Sequence, residues 1–125
     1  MRTGIERVKK KIDESTCCIK IIEDRKRIRI RLQDIIYIEK SERKAVLHTL
    51  KGIRKTNRDL TSIGNKLNSN FVRTCNTHIV NLRYVYIIYN NSIELYNVDK
   101  IIPVSRTYKK GFMNAYMNYK EKESL

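Results

Sequence analysis

Three cysteines, two histidines and thirteen carboxylates are the side chains with which this 125-residue chain could hold a metal or catalyse a reaction. Their spacing serves neither purpose. Cys17 and Cys18 are adjacent and Cys75 stands alone, so no C-x-x-C pair exists for zinc. His48 and His78 are too few and too scattered to complete a metal site. Ser105 has no neighbouring histidine, and no G-x-S-x-G surrounds any serine. Four scattered glycines make neither a P-loop nor a G-x-G-x-x-G turn. The chain is therefore expected to be no enzyme and to use no cofactor and no metal. An odd count of cysteines with an adjacent pair points to reduced thiols, with Cys17 and Cys18 as small strand residues.

The chemistry that remains is cationic. Lys and Arg number 27 against 13 Asp and Glu, a formal charge of +14. Part of that excess is what an AT-rich genome writes into any protein, since Ile, Lys, Asn and Tyr are all plentiful. Its distribution is more informative. The stretch 71–99 is neutral, with two basic and two acidic residues, while the segments on either side are positive. A polyanion partner fits that pattern, and so does a basic surface that merely keeps the protein in solution. Two further patterns invite nucleic acid. Arg27, Arg29 and Arg31 alternate with Ile28, Ile30 and Leu32, which sets three guanidiniums on one face of a strand, although a solvated edge strand has the same appearance. Tyr84, Tyr86, Tyr89 and Tyr96 could stack on bases, or simply pack on a sheet.

Hydrophobic residues make up 41% and charged residues 32% of the chain, which excludes a disordered tract. No apolar run approaches the ~20 residues that span a bilayer, and no signal peptide is visible, so a cytoplasmic protein without membrane contact is expected. The length suits one domain with a single core. Residues 1–16, with Ile5, Val8 and Ile12 on one stripe, are expected to be a linker or short helix, and 17–125 the domain. From Cys17 the hydrophobic period is two. Strands are expected at Cys18–Ile22, 27–32, Asp34–Glu39 (the most apolar and most central), and in a hairpin of Ala45–Leu50 with 53–55 around Lys51-Gly52. Lys40–Lys44 is a polar loop. Leu60, Ile63 and Leu67 recur at helical spacing over 59–67, with Asn57 or Asp59 as cap. Further strands are expected at Phe71–Thr74, Ile79–Val80, Arg83–Tyr89 and Ile93–Tyr96, the last pair turning at Asn90-Asn91. A short Ile101–Val104 strand follows, made an edge by Pro103. Ser105 can cap a terminal helix with Tyr108, Phe112 and Tyr116 on one stripe. The class is mainly β, with one short internal helix and a C-terminal helix.

Within this frame Phe71-Val72-Arg73-Thr74-Cys75-Asn76-Thr77-His78-Ile79-Val80-Asn81 resembles the F-x-R-x-H-x-x-x-x-V-N block of LytTR-type bacterial DNA-binding domains. That family's other landmarks stand around it in order. Asp34–Glu39 looks like its D-I-x-Y-I-E strand, Leu60, Ile63 and Leu67 match its short L-x-x-L-x-x-x-L helix, and Ile102–Arg106 matches x-P-V-S-R. The resemblance covers about residues 18–110. It implies an elongated stack of small antiparallel sheets that reads double-stranded DNA with loops entering successive major grooves, as in the output domains of AgrA- and VirR-like response regulators. Such two-component domains bind paired direct repeats in promoters of virulence genes. A second copy on the adjacent repeat and a covalent receiver domain absent from this chain are the partners it implies.

Carried over by position, the resemblance makes Asn76 and Arg106 base-reading residues, suited to an adenine edge and to guanine O6/N7 respectively. A third contact comes from the loop Lys40–Lys44, one residue short of the family's, with Arg43 the first choice and Lys44 the second. Arg73, Thr77, Lys109 and Lys110 are the implied phosphate contacts. One departure stands out: Cys75 occupies the position of the usual His, and His78 lies three residues on. Cys75 is either a small buried substitute or an oxidation-sensitive thiol close to DNA. Phe71, Ile79 and Val80 are expected in the core, and Asn81 on the backbone of a turn. A small β-rich protein that binds RNA or single strands through the Tyr face and the Arg strand is the alternative.

Overall fold

The computed structural model describes residues 17–124, so the linker or helix expected over residues 1–16 lies outside the described residues. Ten strands, two helices and two 3-10 turns make up the described chain. Strands β1 (Cys18–Glu23) and β2 (Lys26–Arg31) form a separate hairpin, joined through Asp24 and Arg25, whose φ angles of 51° and 68° suit a two-residue turn that follows the strand twist. Next come β3 (Ile35–Ser41), β4 (Lys44–Thr49) and β5 (Gly52–Thr56), then α1 (Leu60–Gly64), β6 (Phe71–Cys75) and β7 (His78–Asn81). These five strands make one antiparallel sheet in the order β5-β4-β3-β7-β6. Strands β8 (Val85–Ile88), β9 (Ser92–Leu95) and β10 (Ile102–Pro103) make a third sheet, ordered β10-β9-β8, with the proline strand at an edge as its missing N–H requires. Helix α2 (Arg106–Ser124) closes the chain. The mainly β class and the stacking of small antiparallel sheets are thus as expected.

The five-stranded sheet lies between two cores. On one side Ile19, Ile21 and Ile30 of the hairpin meet Ile35, Ile38 and Leu47, with Leu60 and Ile63 of α1. On the other side Ile36, Tyr37 and Val80 meet Ile93, Leu95 and Ile102, with Phe112 of α2. A strand buried on both faces must be apolar without alternation, and Ile35-Ile36-Tyr37-Ile38 is. Ile79 and Val80 are core residues; Phe71, also expected there, is half-buried at the margin of the first core.

Several boundaries differ from expectation, and Leu32 and Asp34, expected in strands, lie in a 3-10 turn, while the Ile101–Val104 strand shortens to Ile102–Pro103. Arg83 and Tyr84 belong to a 3-10 turn, Leu82–Tyr84, and not to β8, because the Asn81 carboxamide accepts from the Arg83 N–H at 3.0 Å and bends the chain there. The same carboxamide donates to the carbonyls of Ile35, at 2.9 Å, and Leu32, tying this turn to a second 3-10 turn at Leu32–Asp34. The internal helix ends at Gly64 and does not reach Leu67; Asp59 is its cap, accepting from Ser62 N at 2.7 Å. The loop expected at Lys40–Lys44 is a two-residue turn, since Lys40 and Ser41 belong to β3 and Lys44 to β4.

Candidate nucleic-acid interface

Strand register decides where the cationic and amide side chains meet. Ser41 pairs with Lys44, so Glu42 and Arg43 form the apex of the β3–β4 hairpin, with Glu42 at φ 58°. Glu39 pairs with His78 on β7, and Lys40 N donates to Thr77 O at 2.8 Å, which brings the Asn76-Thr77 turn between β6 and β7 alongside that apex. Ser105 N donates to Thr74 O at 2.8 Å and fixes the first turn of α2 against the end of β6. Arg43, Asn76 and Arg106, far apart in sequence, therefore emerge at one end of the five-stranded sheet, and all three are exposed. Lys44 is exposed beside them but held in the β4 ladder.

The supporting contacts give each position a definite role. Arg73 is half-buried, with one guanidinium nitrogen on Thr61 Oγ1 at 3.1 Å and another on the Asn76 carbonyl at 3.4 Å, so it ties the turn to α1. Tyr108, one turn into α2, donates its hydroxyl to Asn76 Oδ1 at 3.3 Å. Thr77 Oγ1 lies 2.9 Å from His78 Nδ1, and Cys75 Sγ lies 3.3 Å from the same nitrogen. Lys109 reaches Asn90 Oδ1 at 2.7 Å and joins α2 to the β8–β9 turn, while Lys110 is exposed.

Beneath the turns sits a charged group that the sequence did not flag. The Glu39 carboxylate takes His48 Nε2 at 2.6 Å and Lys100 Nζ at 3.2 Å, and His78 Nε2 stands 3.6 Å away, beyond hydrogen-bond range. The His48 ring stacks on Tyr37 with centroids 4.2 Å apart. Burial pushes the Glu39 carboxyl up, but hydrogen bonds from His48 and Lys100 outweigh it and hold the group below its ordinary range. Burial lowers the His78 imidazole against the pull of Glu39, and its buried Nε2 has no hydrogen-bond partner among the described residues. Burial, with Glu39 nearby, raises the Tyr37 phenol to about 12. His48 faces Glu39 from the neighbouring strand, a relation that appears only once β3 and β4 are placed in register.

Among the described residues no group of His, Cys, Asp and Glu could hold a metal, and no helix is long and apolar enough to cross a membrane. What the sheet end offers is an exposed guanidinium and an exposed amide on two short strand turns, with the exposed Arg106 guanidinium at the first residue of α2, a set that can form hydrogen bonds with base edges.

A family model described as the LytTr DNA-binding domain matches residues 25–117. Among solved structures, the fold is similar to the LytTr DNA-binding domain of a Bacillus cereus protein described as a methyl-accepting/DNA response regulator. That likeness has a TM-score of 0.69 at 18% identity and covers 79% of this chain and 95% of that one. No curated protein matches the chain.

Proposed function

Because the chain belongs to the LytTR family of DNA-binding domains, we propose that it is a bacterial transcriptional regulator that binds double-stranded DNA sequence-specifically. The observation that carries this reading is the emergence of Arg43, Asn76 and Arg106 at one end of one sheet, each on a different chain segment. Arg106 reads guanine, Asn76 an adenine or another acceptor-bearing edge, and Arg43 a third base, with Lys44 beside it. The turns enter successive major grooves, and the sites are direct repeats in promoters, where a second copy can sit on the neighbouring repeat. Arg73 contacts phosphate from β6 and Thr77 from the Asn76-Thr77 turn, where each also makes protein contacts, and Lys109 and Lys110 do so from the first turns of α2. Residues 17–125 are the DNA-binding domain of a cytoplasmic regulator, either the output half of a two-component response regulator with a covalent receiver domain or a stand-alone member of the family, and its targets are virulence genes.

In vitro selection of bound duplexes followed by titration tests this. A recovered direct repeat should bind far more tightly than scrambled duplex. Arg106→Ala and Asn76→Ala should each lose about 1–3 kcal/mol on that site and little on scrambled DNA, whereas Lys110→Ala should weaken both and lower the salt slope by about one. Equal losses on both duplexes from Arg106→Ala would remove the base-reading assignment. Tyr86, Tyr89 and Tyr96 are exposed, the surface a single strand would use, so single-stranded RNA belongs in the same competition. Preference for RNA over every duplex would replace this reading.

A further inference from the structure

A second cationic surface lies apart from the three reading turns. Between the β1–β2 hairpin and the chain around α1 runs an open cleft of about 510 Å³, lined by Lys20, Arg27, Arg29, Arg58 and Lys66. Ile21, Ile22 and Ile28 supply its apolar wall, and no carboxylate lines it. Lys20 pairs with Arg29 and Ile22 with Arg27, so three of the cations share the outer face of the hairpin, opposite the Ile21 and Ile28 face that packs towards α1, and line the cleft from that side. Of the acidic residues adjoining these segments in sequence, Asp24 stands exposed in the β1–β2 turn, and Glu23 and Asp59 are engaged elsewhere. Glu23 accepts from Lys55 N and faces Arg54, and Asp59, next to Arg58, caps α1. All five cations are exposed, and among the described residues none has an ion-pair partner.

Five uncompensated cations around one cleft repel each other unless an anion is present. The position of the cleft says which anion. Arg58 lies two residues past Thr56, which pairs with Ala45 immediately after Lys44, so one rim of the cleft adjoins the β3–β4 hairpin. We propose that this cleft holds the phosphodiester backbone of the same duplex beyond the segment read by the turns. A polyanion with regularly spaced phosphates suits a row of guanidinium and ammonium groups that carries no base-reading amide. The proposal rests on the duplex-binding reading above and adds to it a contact that extends the footprint.

Two duplexes test it, one limited to the selected site and one carrying the same site extended by about 10 base pairs, a helical turn, on each side. The native chain should bind the extended duplex about tenfold more tightly at about 0.1 M salt, with a salt slope steeper by about two. The double variant Arg29→Gln/Lys66→Gln should lose that advantage and keep its affinity for the short duplex, with an unchanged thermal midpoint because both side chains are exposed. Arg58→Gln should lose part of it. If extension brings nothing while the short site is still bound, this inference falls and the proposed function stands. If no duplex is bound, both fall. Equal losses on the two duplexes would assign the cations to the reading surface instead. A variant that keeps the extension advantage but no longer retains poly-glutamate would give the cleft to an acidic polypeptide.

Discussion

Two acceptors of Asn76 are engaged within the protein. Tyr108 donates to Oδ1 at 3.3 Å, and the Asn76 main-chain carbonyl takes a guanidinium N–H of Arg73. A free carboxamide turns over readily, and its two ends carry opposite polarity. With Tyr108 on the oxygen, the Nδ2 hydrogens and the second lone pair of Oδ1 are left for a base. Tyr108 thus acts as a positioning residue for the proposed base contact, on the helix face next to Arg106. Tyr108→Phe removes only the hydroxyl. It should cost about 1 kcal/mol of discrimination between the cognate base and its substitutes at the Asn76 position, with non-specific affinity and thermal midpoint unchanged. Competition with single-substituted duplexes measures this, and undiminished discrimination would mean that the amide orients itself.

At the scale of elements, Asn81 is the joint between two 3-10 turns, satisfying the carbonyls of Leu32 and Ile35 and the N–H of Arg83 while itself buried. Asn81→Leu keeps the branched shape but removes the amide's bonds to the Ile35 carbonyl and the Arg83 N–H, while Leu32 O keeps its bond from the Ile35 N–H. The substitution should cost about 3 kcal/mol, read as a fall in the denaturant midpoint with the m-value unchanged. A loss of a few tenths would mean that water replaces the amide. The same residue marks the limit of what the sequence makes legible. Alternation in Arg27–Leu32 and the unbroken apolar run of β3 are local signals, and the strands formed there. The 3-10 turns are not local, since Asn81 must reach carbonyls at and just before the start of the neighbouring strand β3, 46 and 49 residues earlier in the chain. The β3–β4 turn was overestimated as a loop because Lys40, Ser41 and Lys44 are polar and exposed, like loop residues, while their backbones remain in the ladder. In the candidate interface, the positions of Arg43, Asn76 and Arg106 were accessible through motif resemblance. The contacts of Tyr108 and Glu39 depend on register between distant segments and left no sequence signal.

For the molecule as a whole, the group beneath the turns couples stability to pH. His78 titrates below its ordinary 6.5 in the folded chain, chiefly because it is buried, and faces Glu39, Lys100, His48, Tyr37, Thr77 and Cys75. An unfolded His78 therefore takes up a proton at a pH where the folded one does not, and acidification through 6.5 favours unfolding. Glu39, lowered from 4.5 by His48 and Lys100 against its burial, adds a second loss in the same direction as pH falls through 4.5. Denaturant midpoints measured from about pH 7 to about pH 4 should decline in two limbs. His78→Gln should flatten the upper limb and leave the lower one. An identical profile in the variant would assign the upper limb elsewhere.

Arg43 and Asn76 on their strand turns and Arg106 at the start of α2 are exposed, and none belongs to either core. Substitutions at sites without common contacts add nearly independently. If Arg43, Asn76 and Arg106 have the base-reading role proposed for them, they can be exchanged one at a time, each change altering the preferred operator while the fold tolerates it. A lineage of such chains can move from promoter to promoter by single mutations that are close to neutral for folding, and a designer can follow the same route.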